Sequence, residues 1–373
     1  MEPVLKTLSD LVAIKSINPD HEGGVPEEAV AQYVESFFAT RGIETIRQPV
    51  LPGRENVIAK LPGVDRTRRL ILEAHMDTVS VTGMSIPPFT PDIRDGRLYG
   101  RGSCDTKAGL ATMMHAVAHW KEQGLVPPCD LWLAAVVDEE FAFRGVIKLC
   151  EGLEATAAIV AEPTEMRAVV AAKGVLRWKL RTLGVAAHSA KPHLGVSAIR
   201  HMTPVLEWLN VAADSLATPQ HPLLGPATLS IGLIRGGEQI NFVPDRCEIA
   251  IDRRILPGED PLAVWAAYRA DLAKIPGIEA EMDPPMIADP AMETAVDTRV
   301  VTTAQQVLGE MGYNAAVCGV PFGSDASKLV RQGIPSIIFG PGSIDQAHAA
   351  IEYVPCEEVL AALAFYLEFI RRF

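Results

Sequence analysis

Five short apolar runs constrain this chain more than any other feature: NVIAKL (56–61), RLILEAH (69–75), DLWLAAVVD (130–138), AAIVAE (157–162) and PSIIFG (335–340). Several are nearly continuous in apolar character, as strands covered on both faces are, and none is long enough to span a bilayer. Segments with helical spacing of apolar residues lie between them, among them PEEAVAQYVESFFATRG (26–42) and KAGLATMMHAVAHWKEQG (107–124). The N-terminus places Val4, Leu5, Leu8, Leu11 and Val12 at the same spacing, with acids early and no unbroken apolar core, so an amphipathic helix is expected there rather than a signal peptide. Strands alternating with helices predict an α/β fold, a largely parallel sheet flanked by helices.

The pattern changes near residue 173. RWKLRTLG, PATLSIGLIRGG and RCEIAIDRRI alternate apolar and polar residues, which predicts a sheet with one solvated face and hence a separate, smaller α+β layer. Its one long helical pattern, from 195 to about 216, contains Pro204, which is expected to kink or break it. Beyond 286 the parallel-sheet pattern returns in TRVVTTAQQVLGEMG and GIPSIIFG. A chain of 373 residues exceeds what one core normally supports. The expected division is 1–172 and 286–373 for the larger domain, with 173–285 inserted into it.

The formal charge of −12, from 34 basic and 46 acidic side chains, argues against nucleic acid or an anionic membrane surface as partner and leaves small or cationic ones open. Six cysteines without CxxC pairing suit reduced thiols, and with no spanning segment or lipidation motif the expected location is the cytoplasm.

In open α/β sheets ligands bind beyond the carboxyl ends of the strands. Here those ends carry metal-type side chains. His75 and Asp77 close one strand, Asp138, Glu139 and Glu140 another, and Glu162 a third; His348 follows PSIIFG, and Asp105 lies in GRGSCDTKAG between a glycine-rich loop and a helix. Each has a plain reading. HxD is more often a satisfied polar pair, DEE a solvated cluster, Glu162 in EPTE a helix cap, and His348 in QAHAA an ordinary loop or helix residue. The weight lies in their convergence, because so many carboxylates at one edge repel unless a multivalent cation neutralises them. Residues i and i+2 of a strand share a face, so Asp77 is expected to accept the proton on the second nitrogen of His75. Glu139 and Glu140 point oppositely, so one can bind metal while the other stays free as a base.

The chain resembles the M20 family of metallopeptidases and deacylases, which includes acetylornithine deacetylase, succinyl-diaminopimelate desuccinylase, aminoacylase and glutamate carboxypeptidase. The likeness runs through HMDTV, GRGSCDTKAG, DEE, AEPT, GVAAHSAKPHLGVSAI, NFVPDRCEIAIDRRILPGE, GSDA and GPGSIDQAHAAIEYV, in the family's order. It implies two divalent cations, zinc first and cobalt second. His75, Asp105 and Glu162 would hold one, and Glu140, His348 and the bridging Asp105 the other, with Glu139 as general base. It also implies a cis peptide after Asp105. The family's lysine followed by two glycines is here Lys107, Ala108, Gly109.

The resemblance makes the inserted domain a lid and dimerisation domain. His188 in GVAAHSAKP would assist the developing oxyanion, where the residues alone suggest a loop imidazole. Arg254 would hold a substrate carboxylate and Asn241 would touch substrate, while Arg253 is expected in solvent. The GPGS turn (340–343) is either an anion cradle or a plain tight turn. The implied reaction is hydrolysis of an amide in an N-acyl amino acid or small peptide: acetylornithine deacetylase-like deacylation first, with desuccinylase or glutamate-type carboxypeptidase activity as alternatives. A homodimer through the lid is expected, its sheet edge pairing with a second copy. A non-catalytic binding protein on the same scaffold is the reading from another class. A dinucleotide-binding domain is disfavoured because no GxGxxG follows a strand.

Overall fold

Four of the apolar runs form adjacent parallel strands in the computed structural model, which describes residues 1–373. Their order across the sheet is Cys129–Val136, Asp65–His75, Ala157–Val160, Ser336–Ile338. The fifth run lies within Arg54–Leu61, which pairs antiparallel with Cys129–Val136 and with Glu44–Leu51. Leu70, Ile71, Leu72 and Ala74 are all fully enclosed, so successive side chains are buried on both faces, as their unbroken apolar character requires. The helices Pro3–Ala13, Lys107–Glu122 and Cys356–Arg372 complete this core with Leu8, Leu11, Met113, Met114, Phe365 and Phe369.

The chain divides into two compact units, one of Met1–Val170, Thr294–Cys318 and Ser324–Phe373, the other of Ala171–Glu293 with Gly319–Gly323. In the second, Thr228–Gly236, Arg246–Ile255, Gly174–Leu183 and Glu279–Met282 form an antiparallel sheet in that order. Burial along Arg246–Ile255 alternates strictly, with Cys247, Ile249, Ile251 and Ile255 inside. The helix Ala198–Ser215 runs unbroken through Pro204. Met202, Val205 and Leu209 are buried on either side of the proline, and that packing holds the segment helical despite the missing donor.

Parallel strands put all their carboxyl ends on one edge of the larger unit's sheet, and Lys107–Glu122 begins there. Its packing is tight, since a Cβ on Gly109 would come within 2.5 Å of the Ala161 methyl carbon, whereas Ala108 is accommodated and fully buried. Lys107, also fully buried, donates from Nζ to the carbonyls of Leu11 (2.9 Å) and Ile14 (2.7 Å), satisfying the end of the first helix.

Candidate metal centre

The loops leaving this edge gather the candidate ligands. His75 is buried, and its Nδ1 donates to the main-chain carbonyl of Asp77 at 2.9 Å, which turns Nε2 toward Asp105 Oδ1 at 3.2 Å. The partner within the HxD segment is therefore the Asp77 carbonyl, with the carboxylate farther off at 3.5 Å. That carboxylate is drawn elsewhere, accepting from Asn18 Nδ2 (2.7 Å) and from the amides of Glu139 (3.2 Å) and Glu140 (3.1 Å). It holds the 138–140 turn as much as the imidazole. Asp138 enables that turn with φ of 71°, its carboxylate gripped by Arg144 and Arg54.

Asp105 sits between two imidazoles, with His348 Nε2 3.4 Å from its Oδ2 and 3.2 Å from Glu140 Oε2. The peptide from Asp105 to Thr106 is cis. Glu162 ends its strand buried, with Ser324 Oγ at 3.4 Å from Oε1. No helix follows it; Glu165 and Met166 have positive φ, and the segment makes a tight turn instead of an N-cap.

Three sets of donor atoms come within 4.8 Å of one another: His75, Asp105, Glu162; Asp105, Glu140, His348; and His75, Glu139, Glu140. The first two together use both imidazoles, share Asp105 and leave Glu139 out. The third competes with them for His75 and Glu140 and leaves Glu162 and His348 idle, so the first two are the better partition. One imidazole and two carboxylates per set is a nitrogen and oxygen donor environment suited to zinc-type cations.

The electrostatics fit cations. Burial pushes the Glu139 carboxyl well above its ordinary range, and Asp325, Glu140 and Asp105 push the same way. Burial, then Glu139 and Asp105, does the same to Glu162. Burial would also raise Asp105, but hydrogen bonds from His348 and His75 outweigh it and hold this carboxyl well below the usual range. Hydrogen bonds to Asp105 and Glu140 lift His348 to about 11. The chain by itself thus holds protons on its imidazoles where bound cations would supply positive charge.

Sequence reasoning misses Glu73 and Asp325. Both are buried and none of their four carboxyl oxygens has a hydrogen-bond partner, and burial, followed by the charge of Glu73, pushes the Asp325 carboxyl well above its usual range. Burial pushes Glu73 up to about 8. Strand periodicity holds a signal for Glu73, which lies two residues before His75; Asp325 lies within GSDA, where no pattern of spacing marks it.

The remaining candidates lie in the second unit. His188 is exposed on the short strand Ala187–His188, paired with Phe242–Val243, and its Nδ1 accepts from the Ala190 amide at 3.0 Å. Asn241 is exposed, its carbonyl accepting from the Ser189 amide at 3.0 Å. Arg254 is partly exposed on the outer face of its strand, beside Asp252 at 2.9 Å. Arg253, expected in solvent, is instead 2% exposed and paired with Glu259 at 2.6 Å, because the alternation puts 253 on the inner face. The GPGS turn is no open anion cradle: the amide of Gly340 donates to Thr164 Oγ1 and that of Gly342 to Glu358.

Known proteins match this architecture over nearly its whole length. A family model described as Peptidase family M20/M25/M40 covers residues 71–372. The acetylornithine deacetylase of Myxococcus xanthus is 31% identical over 388 aligned residues, covering 100% of this chain and 98% of that protein. A tripeptidase from Staphylococcus aureus shares the fold with a TM-score of 0.80 at 24% identity, over 99% of this chain and 97% of the other. A dinuclear metal-binding M20 peptidase from Bacillus subtilis does so with a TM-score of 0.74 at 16% identity, over 99% and 96%. Parallel strands ending in imidazoles and carboxylates, and a family match across four-fifths of the residues, lead to one conclusion: the chain belongs to peptidase family M20/M25/M40, a group of metal-dependent peptidases and amidohydrolases.

Proposed function

We propose that the chain hydrolyses the amide bond of an N-acyl amino acid, in the manner of an acetylornithine deacetylase, with two divalent cations held at the edge of the larger unit's sheet. The observation that carries this reading is the seat of Asp105: one carboxylate oxygen lies 3.2 Å from His75 and the other 3.4 Å from His348, while Glu139 stands beside them outside both ligand sets.

His75, Asp105 and Glu162 would hold one cation, and Asp105, Glu140 and His348 the other, zinc being the first choice and cobalt the second. When bound, such a pair polarises the amide carbonyl and makes a water nucleophilic near neutral pH. Glu139, left outside both ligand sets, would accept the proton of the attacking water and return it to the leaving amine. Asp77 keeps Glu139 and Glu140 aimed by accepting both of their amides. His188 assists the oxyanion, Arg254 takes the substrate carboxylate in its planar fork, and Asn241 contacts the substrate. Exposed Leu233 and Ile234 on Thr228–Gly236, the edge strand of the second unit's sheet, favour a homodimer formed there.

Desuccinylase or carboxypeptidase activity uses the same machinery and is the runner-up. A non-catalytic binding protein is disfavoured because every ligand and the base are present. Rates on N-acetyl, N-succinyl and peptidyl substrates test the reading: acetylated basic amino acids are expected to give the highest kcat/KM, and preference for succinyl or peptide substrates would move the assignment to the runner-up.

A further inference from the structure

Glu352 lies four residues beyond His348 and is 0% exposed. Its carboxylate meets four donors, all from the loop that presents Asp105. Oε2 accepts from Arg101 Nη1 at 2.7 Å and from the Gly102 amide at 3.0 Å; Oε1 accepts from the amides of Cys104 at 2.9 Å and Asp105 at 3.1 Å. The loop can wrap the carboxylate because Gly100 and Gly102 have φ of +145° and +81°, where a side chain is strained, letting successive amides converge. The main chain joins in, with the Gly100 amide donating to the Glu352 carbonyl at 3.1 Å and the Ser85 amide to that of Ala350 at 2.9 Å. Two segments 247 residues apart in sequence are thereby sewn together, one carrying Asp105 and the other His348.

The geometry points to Glu352 as the positioning residue that brings Asp105 and His348 within reach of one cation, a role resting on the two-cation reading above. Glu352 touches neither substrate nor cation; it acts through the atoms it fixes. His75 and Glu162 are anchored separately, at the ends of Asp65–His75 and Ala157–Val160, and keep their hold on the first cation. Glu140 is anchored by Asp77. His348, with a positive φ of 59° and an exposed side chain, depends most on the clamp behind it. All four contacts to Glu352 are donors, so Glu352→Gln turns an amide NH2 toward two of them, whichever way it lies. Glu352→Asp keeps every acceptor and only shortens the reach.

The test is zinc titration of the metal-free full chain against a competing chromophoric chelator, alongside metal-free thermal unfolding. Wild type is expected to take up two ions. Glu352→Gln is expected to weaken the second ion, which relies on both Asp105 and His348, about 10- to 100-fold, the range for groups that orient ligands, and to weaken the first, which keeps His75 and Glu162, markedly less. Glu352→Asp should restore most of the second affinity. Both ions held by Glu352→Gln at wild-type affinity, or both weakened alike with a lowered melting temperature, would overturn the inference. If that variant does not fold, Arg101→Gln is read in its place: selective weakening of the second ion supports the role, and unchanged affinities overturn it. A wild-type chain that takes up a single ion would sink the two-cation reading itself, an outcome distinct from failure of the variants.

Discussion

Replacing Glu139 by Gln keeps the shape of the side chain and removes its charge and its basicity. The main chain there is held independently, since the amides of Glu139 and Glu140 donate to Asp77 at 3.2 and 3.1 Å. The turn and both ligand sets therefore survive, and only the proton acceptor is lost. General-base catalysis of this kind is worth about 10²- to 10⁴-fold, or roughly 2.7 to 5.5 kcal/mol at about 1.36 kcal/mol per tenfold. Steady-state kinetics on an N-acetyl amino acid should show kcat reduced within that range, with KM within a few-fold and two ions still bound. A second effect follows from electrostatics. Burial, with Asp325, Glu140 and Asp105 nearby, raises the Glu139 carboxyl well above its usual range in the metal-free chain. A carboxyl raised on folding binds more protons folded than unfolded, so it lowers stability as pH climbs above its unfolded value near 4.3. The metal-free variant should accordingly melt higher than metal-free wild type at pH 8, with the difference vanishing below about pH 4. A variant with two ions and kcat within about threefold of wild type would refute the base assignment, and a lower-melting metal-free variant would refute the electrostatic reasoning.

Two further perturbations probe the support behind the centre. Arg54 is buried between Glu27 and Asp138, so Arg54→Met should cost about 3 to 5 kcal/mol in urea unfolding, because two buried carboxylates lose their partner; a loss below about 1 kcal/mol would contradict this. Burial lowers Lys107 to about 7, so between there and its unfolded value near 10.4 the unfolded chain binds the extra proton and this lysine's contribution to stability grows with pH. The deficit of Lys107→Met relative to wild type should therefore widen from pH 7 to pH 9, by at most about 1.4 kcal/mol per unit, and a deficit that narrows would be wrong for a buried amine.

Most of the candidate ligand side chains are legible in the sequence because they follow strands whose apolar character is itself legible and parallel strands end together, whereas Asp105 lies in a loop before a helix and is marked only by the family motif. Strict alternation likewise marks Arg246–Ile255 as half-solvated. The phase of that alternation is what puts Arg253 on the face of Ile251 and Ile255, and the charge of its side chain argues for solvent only while that phase is ignored. Pro204 reads as a breaker because local preference is visible in sequence and the packing of Met202, Val205 and Leu209 is not. Asn18 and Glu352 escape for a deeper reason: Asn18 reaches Asp77 and Glu352 reaches Asp105 across long stretches of chain, and no local pattern encodes such closure. The same holds for Asp77, whose carboxylate is claimed by amides that only the folded 138–140 turn brings near.

Anomalous diffraction from zinc-loaded crystals tests the bridging role of Asp105 most directly. Two peaks are expected, each about 2.0–2.2 Å from one Asp105 oxygen, the first also reached by His75 and Glu162 and the second by Glu140 and His348. A single peak, or an ion coordinated by Glu139 in place of Glu162 or His348, would contradict it.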